Sequence, residues 1–199
     1  MKTAFFDIDT QIDFLFPAGS LYVPGSERLV PALSRLNHYG ASHGIPLVSS
    51  MCAHAEDDPE FREWPAHCVI GTVGQLKPVA TLLEKRAVIG VSSGVCAIDG
   101  VQQILIEKTR LDITASSNFR PLLASLRADN YVVYGVVTEY CVRFAALALL
   151  ETNKPVSLVT DAIQTLSAEA SEKTLREFAG RGGRLTTVSE LCSANLNQF

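Results

Sequence analysis

The chain has 199 residues, 47% of them hydrophobic, and a formal net charge of −4 at pH 7. That length suits a single α/β domain spanning residues 1–199, large enough to bury most of its apolar surface. A mildly acidic balance with no basic block argues against nucleic acid or an anionic membrane as partner, and no apolar run is long enough to span a bilayer. The opening MKTAFFDID reaches an aspartate too soon for the apolar region of a signal peptide, so a cytoplasmic location is expected. Five cysteines, at 52, 68, 96, 141 and 192, are odd in number and scattered, which predicts reduced thiols rather than a disulfide framework.

Residues 4–8 form a nearly all-apolar run ending at Asp9, as in a central parallel strand covered on both faces. TQIDFLFPAGSLYVPGS follows, with Pro17, Gly19, Pro24 and Gly25, and reads as a loop across the top of the sheet. Leu29, Val30, Leu33 and Leu36 mark a helix over 27–43, with Pro31 tolerated in its first turn and Gly44 ending it. A second strand over 45–51 runs into CAHAEDDPEFREWPAHCVIGTVGQ, which has no apolar period. Irregular connections of that length are usually functional or disordered, and Phe61, Trp64 and the prolines favour an ordered loop. Beyond it, 79–83 reads as a helical turn, 88–91 as a short strand and 92–100 as a loop. A strand over 103–106 then leads to Lys108, followed by a polar loop and a helix over 120–129.

The stretch YVVYGVVTEYCVRFAALALLE, 131–151, is a buried strand handing over to a helix: an apolar run climbs to Val137, breaks at Thr138-Glu139-Tyr140 and restarts at Cys141. Val142, Ala145, Ala146, Leu149 and Leu150 then recur at helical spacing. Cys141 sits at the seam, where the positive end of a helix favours a thiolate; a small, inert, buried thiol is the equal alternative on position alone. A further strand over 156–160 ends at Asp161. Ser167 caps a helix to about 181, with Leu175, Phe178 and Ala179 inward and Gly182-Gly183 as its stop. An edge strand over 185–188 and a short terminal helix complete the chain. Strand and helix alternate throughout, predicting a three-layer α/β/α sandwich with a mostly parallel central sheet.

In such sheets ligands bind beyond the carboxyl ends of the strands. Four expected strand ends carry Asp9, Cys52 with His54, Lys108, and the turn at 138–141. Together they supply an attacking thiol, a base and a cation. Individually, Asp9 also suits a cap, and a lone lysine is more often solvated. Cys52-x-His54 puts two ligand-type side chains on one face of an extended segment, with Glu60 and His67 following on the long loop. By spacing alone, hydrogen-bonded surface histidines are the commoner outcome.

The D-x-Q-x-D-F segment 9–14, Lys108 closing an apolar strand, WPAHCVIGT at 64–72 and VVTEYCVR at 136–143 resemble the nicotinamidase and isochorismatase-like cysteine hydrolases, in the same order and over almost the whole chain. The resemblance implies a triad of Asp9, Lys108 and Cys141. It also implies a non-proline cis peptide between Val136 and Val137, and an oxyanion hole from the Val137 and Cys141 amides. Amide hydrolysis would then run through a thioester on Cys141. It implies a divalent ion on His54, His67 and Glu60, with Cys52 standing where an aspartate is usual; a thiolate favours zinc over harder ions, and a retained thiol would leave the site weak or empty. In nicotinamidases the ion holds the pyridine nitrogen and waters. Phe14, Trp64 and Tyr140 are the candidate pocket walls, with ordinary packing as their alternative. Cys68 and Cys96 read as structural, and Cys192 has no assigned role.

The leading expectation is therefore a nicotinamidase-type amidohydrolase, acting on nicotinamide or another small primary amide and, as in such families, a homo-oligomer. The alternatives are an amidase for carbamoyl or ureido compounds, a non-catalytic binding module, and a redox-sensing Cys141. An isochorismate-cleaving enzyme is disfavoured, because that chemistry needs no thiol.

Overall fold

The structure, a computed structural model, describes residues 2–92, 94 and 100–193. In chain order the elements are β1 (Thr3–Ile8), α1 (Ile12–Leu15), α2 (Val30–Ser42), β2 (Leu47–Cys52), β3 (Arg86–Ile89), β4 (Gln103–Lys108), α3 (Phe119–Leu126), β5 (Asn130–Val136), α4 (Arg143–Leu150), β6 (Val156–Gln164), α5 (Ala168–Gly180), β7 (Arg184–Thr186) and α6 (Val188–Ser193). The strands form one seven-stranded sheet in the order β3-β4-β2-β1-β5-β6-β7, with every neighbouring pair parallel.

The central strands are apolar throughout because both sheet faces are covered. In β1, Ala4, Phe6 and Ile8 pack into a core with Leu122 of α3, Ala145 of α4 and Phe178 of α5. Phe5 packs on the other face with Leu33 and Leu36 of α2 and Leu191 of α6. The edge strands β3 and β7 are short and largely exposed, which limits unwanted edge pairing. The chain leaves β1 towards β2 on one side and returns from β4 to β5 on the other. Such a reversal opens a crevice beyond the carboxyl ends of β1 and β5.

Several elements differ from the sequence reading. The stretch after β1 contains the short helix α1, whose buried Asp13 accepts the backbone N–H of Ser20 at 2.9 Å and of Cys68 at 2.6 Å. Strand β6 continues past Asp161 to Gln164. In α5 Phe178 is buried and Leu175 packs against the core as expected, joined by the buried Thr174, whereas Ala179 is exposed. The long loop after β2 is ordered through a parallel bridge between His54 and Val69. Cys96 and most of the expected 92–100 loop lie outside the described residues, as does the tail from 194. Among the described residues no helix is long and apolar enough to cross a membrane.

Candidate active site

Asp9 directly follows β1 and has a left-handed backbone, φ 49°, uncommon for a residue with a side chain. Its N–H donates to the Ser50 carbonyl at 3.2 Å, and its own carbonyl accepts from Gln11 N–H at 2.8 Å. So held, the carboxylate accepts the Ser50 hydroxyl at 2.6 Å and pairs with Lys108 Nζ at 2.8 Å. Lys108 closes β4. Its ammonium also donates to the Arg110 carbonyl at 2.8 Å and lies 3.3 Å from Cys52 Sγ and 3.9 Å from Cys141 Sγ. The ion pair is almost wholly buried, with 1% of each side chain exposed.

Burial works against both charges, and each offsets it for the other. Desolvation raises the Asp9 carboxyl, but the Lys108 charge and hydrogen bonds from Lys108, Ser50 and Cys141 outweigh it and hold the group below its ordinary range. Desolvation likewise lowers Lys108, and the charge on Asp9 carries it well above its ordinary value. Cys141 is pushed well above the usual thiol range by burial, with Lys108 opposing and Asp9 adding to the rise. Burial therefore favours the protonated form of Cys141. Cys141 also does not stand at the start of a regular helix. Thr138–Val142 forms a π-type turn with Tyr140 out of helical conformation, and α4 begins only at Arg143.

The approach to that turn is tightly constrained. Gly135 has φ 122°, and a Cβ there would collide with the Ile8 carbonyl, so β5 can lie against the end of β1 only with glycine at this point. The peptide bond between Val136 and Val137 is cis.

Beyond the strand ends lies a cavity of about 50 Å³. Phe14, Trp64 and Tyr140 all line it, together with Leu21, Val23 and Leu111. Trp64 meets Tyr140 edge-on with ring centroids 5.6 Å apart. Asp9, Cys52, Glu60, His67 and Cys141 supply its polar chemistry, and among the described residues no lysine or arginine lines it.

Cys52, His54 and His67 bring one ligand-type atom each within 4.8 Å of one another, all three residues being buried. His54 gives Nδ1 to Asp58 at 3.0 Å, leaving Nε2 buried and without a partner; His67 gives Nδ1 to the Pro65 carbonyl at 2.8 Å. A histidine whose Nδ1–H is taken up in this way presents its Nε2 lone pair, as metal-binding imidazoles do. The donor set fits a divalent ion. Glu60 differs from the expected four-residue set: it lines the cavity but is not one of the three clustered residues, because it sits on the 3-10 turn Pro59–Arg62 above them. Burial raises the Cys52 thiol to about 12, against the pull of Lys108, so an ion binding there must displace its proton.

Three residues at the site had no role in the sequence reading. Gln11 accepts Cys52 N–H at 2.7 Å and donates to the Cys52 carbonyl at 2.8 Å, clamping the end of β2. Ser50 holds Asp9, and Asp58 holds His54. Gln11 is visible only as the middle of D-x-Q-x-D, through its flanking carboxylates; Ser50 and Asp58 carry no spacing signal at all.

The description "Isochorismatase domain" fits residues 95–190, which include Lys108 and Cys141. The nicotinamidase of Escherichia coli strain K12 is 25% identical over 92% of this chain and 93% of its own length. The nicotinamidase/pyrazinamidase of Mycobacterium tuberculosis is 26% identical over 94% of this chain and 97% of its own. The crystal structure of the pyrazinamidase of Pyrococcus horikoshii in complex with zinc superposes with a TM-score of 0.80 at 26% identity, covering 94% of this chain and 99% of that one. With a shared architecture, relatives along nearly the full length and a matching family domain, the chain is similar to the nicotinamidase and isochorismatase-like proteins.

Proposed function

We propose that the protein is a cysteine amidohydrolase of the nicotinamidase type, converting nicotinamide or a similar small, neutral primary amide to its acid and ammonia. The observation that carries this reading is the meeting of Asp9, Lys108 and Cys141 at one end of the sheet, beside a cavity with aromatic and aliphatic walls. An uncharged aromatic amide suits those walls. A carbamoyl amino acid would bring a carboxylate into a cavity that, among the described residues, no lysine or arginine lines, which disfavours the ureide reading.

Asp9, ionised and hydrogen-bonded to the Cys141 thiol, takes the thiol proton as Sγ attacks the amide carbon. Lys108 stays charged throughout and stabilises the negative charge as it moves from Asp9 to sulfur. The carbonyl oxygen becomes an oxyanion received by the Val137 and Cys141 backbone N–H groups, a contribution of roughly 3–4 kcal/mol per donor. Asp9 returns the proton to the departing nitrogen and ammonia leaves a thioester on Cys141. Water, deprotonated by Asp9, then attacks the thioester carbon, and the acid departs as the thiol is restored.

Cys52, His54 and His67 would hold a divalent ion, zinc by the softness of the thiolate donor. When bound, it supplies a Lewis acid at the cavity wall that can fix a heteroaromatic nitrogen. A homo-oligomer in the cytoplasm is the accompanying expectation. The test is ammonia release from nicotinamide by wild type beside Cys141→Ala, with zinc content determined on the same samples. Release by wild type that vanishes in the variant supports the reading; undiminished release by Cys141→Ala rules out the thiol mechanism.

A further inference from the structure

The segment between the two histidines is more than a linker, because one carboxylate in it has two distinct attachments. Asp58 Oδ2 receives Nδ1–H of His54 at 3.0 Å, while Oδ1 receives the backbone N–H of Glu60 at 2.9 Å and so caps the turn Pro59–Arg62. An ionised carboxylate only accepts hydrogen bonds, so this contact fixes the His54 proton on Nδ1 and leaves Nε2 as a lone pair. That Nε2 is buried, unpartnered and part of the Cys52–His54–His67 cluster.

From the capped turn the bonding continues to the cavity wall. The Glu60 carbonyl accepts the N–H groups of Glu63 at 3.0 Å and Trp64 at 3.1 Å, and the Asp58 carbonyl accepts that of Phe61 at 3.0 Å. The Phe61 ring packs against His54 at 5.3 Å and His67 at 5.7 Å between centroids. Trp64 in turn meets Tyr140, the neighbour of Cys141. A continuous path of hydrogen bonds and ring contacts thus joins the histidine pair to the wall beside the thiol.

We infer that Asp58 is a positioning residue that readies His54 for a metal ion and couples occupancy of the cluster to the placement of Trp64 over the cavity. The inference rests on the reading of Cys52, His54 and His67 as a metal site. An ion drawing on His54 Nε2 strengthens Nδ1–H as a donor and tightens its bond to Asp58, and through the capped turn it fixes the wall that a flat amide would lie against.

Trp64 is the only tryptophan in the chain, so its emission reports on this wall alone. The test titrates the metal-free protein with zinc, following Trp64 fluorescence and measuring affinity by competition with a chromophoric chelator, for wild type, Asp58→Ser and Asp58→Ala. Serine keeps an N-cap acceptor for Glu60 N–H but is too short to reach His54, so it separates capping from positioning. The expected result is a zinc-dependent change in wild-type emission, a zinc affinity about 10–100-fold weaker in both variants, and a smaller emission change at saturating zinc. The melting temperature of metal-free Asp58→Ser should stay close to that of wild type. Wild-type zinc affinity in Asp58→Ser, or wild-type emission that zinc leaves unchanged, would overturn the inference while leaving the metal site standing. Wild type that binds no zinc would overturn both together.

Discussion

At the scale of single residues, the site is governed by a buried ion pair whose members cannot be separated cheaply. Replacing Lys108 with methionine leaves the Asp9 carboxylate buried and unpaired. Breaking such a pair costs about 3–5 kcal/mol, and Lys108→Met should show that loss in denaturant unfolding along with loss of amide hydrolysis. Stability near that of wild type would mean the pair is better solvated than its geometry indicates. The pair also sets a pH dependence. Asp9 is held below its ordinary value, so its contribution is complete above about pH 4 and fades as pH falls through the lowered folded-state value. Lys108 is raised, so its contribution is complete below about pH 10.5 and is lost only as pH climbs through the higher folded-state value. The melting-temperature difference between wild type and the double variant Asp9→Asn/Lys108→Met, which removes both charges, should therefore be flat between roughly pH 5 and 9 and shrink below about pH 4. A difference that changes steeply near pH 6–7 would assign the effect to another group.

Elements place these residues through the ends of strands. Strand β5 reaches the end of β1 only because Gly135 has no side chain. Gly135→Ala must adopt an unfavourable backbone, worth about 1–3 kcal/mol, and must also move away from the Ile8 carbonyl. Since Asp9 and Cys141 follow these two strands, the variant should lose activity along with stability; a fully active Gly135→Ala melting like wild type would contradict the strand contact. The helices and strands themselves were largely legible. The near-continuous apolar runs of β1, β2, β4 and β5 appeared in the sequence because both faces of the sheet are covered. Ser167 was legible as a cap, and its hydroxyl accepts Ala170 N–H at 3.3 Å. Helix α1 was not, since four residues are too few to show a period and Asp13 faces inward to hold the 20 and 68 backbones. The continuation of β6 past Asp161 was hidden for a related reason: its pairing with β5 resumes after a register shift, at Ile163 and Gln164, where the sequence pattern is no longer apolar.

For the whole molecule, the same alternation of strand and helix that sets the parallel order also gathers distant residues at one rim. Asp9, Cys52, Lys108 and Cys141 were legible as strand-end residues, and the rule for parallel sheets made them neighbours before any distance was known. Glu60's place outside the ligand trio was not legible, because it depends on the path of a loop that has no period. Nor was the upward shift that burial imposes on the Cys141 thiol. Because the trio draws on β2 and the long loop, an ion bound there stabilises the folded molecule as a whole. At a free zinc concentration about 100 times the dissociation constant, the gain is about 2.7 kcal/mol. For a chain of this size that raises the melting temperature by about 5–10 °C, reversed by a chelator. A melting temperature indifferent to zinc would contradict a folded-state metal site.

If the proposed mechanism holds, Cys141 carries the acyl group during turnover. The measurement that tests it most directly is acid quenching of the protein during nicotinamide hydrolysis, followed by mass analysis of the peptide containing Cys141. The expected result is a nicotinoyl thioester on that peptide, on none of the other cysteines, and its disappearance together with ammonia release in Cys141→Ala. Continued ammonia release by Cys141→Ala, or an acyl group found on Cys52 instead, would contradict it.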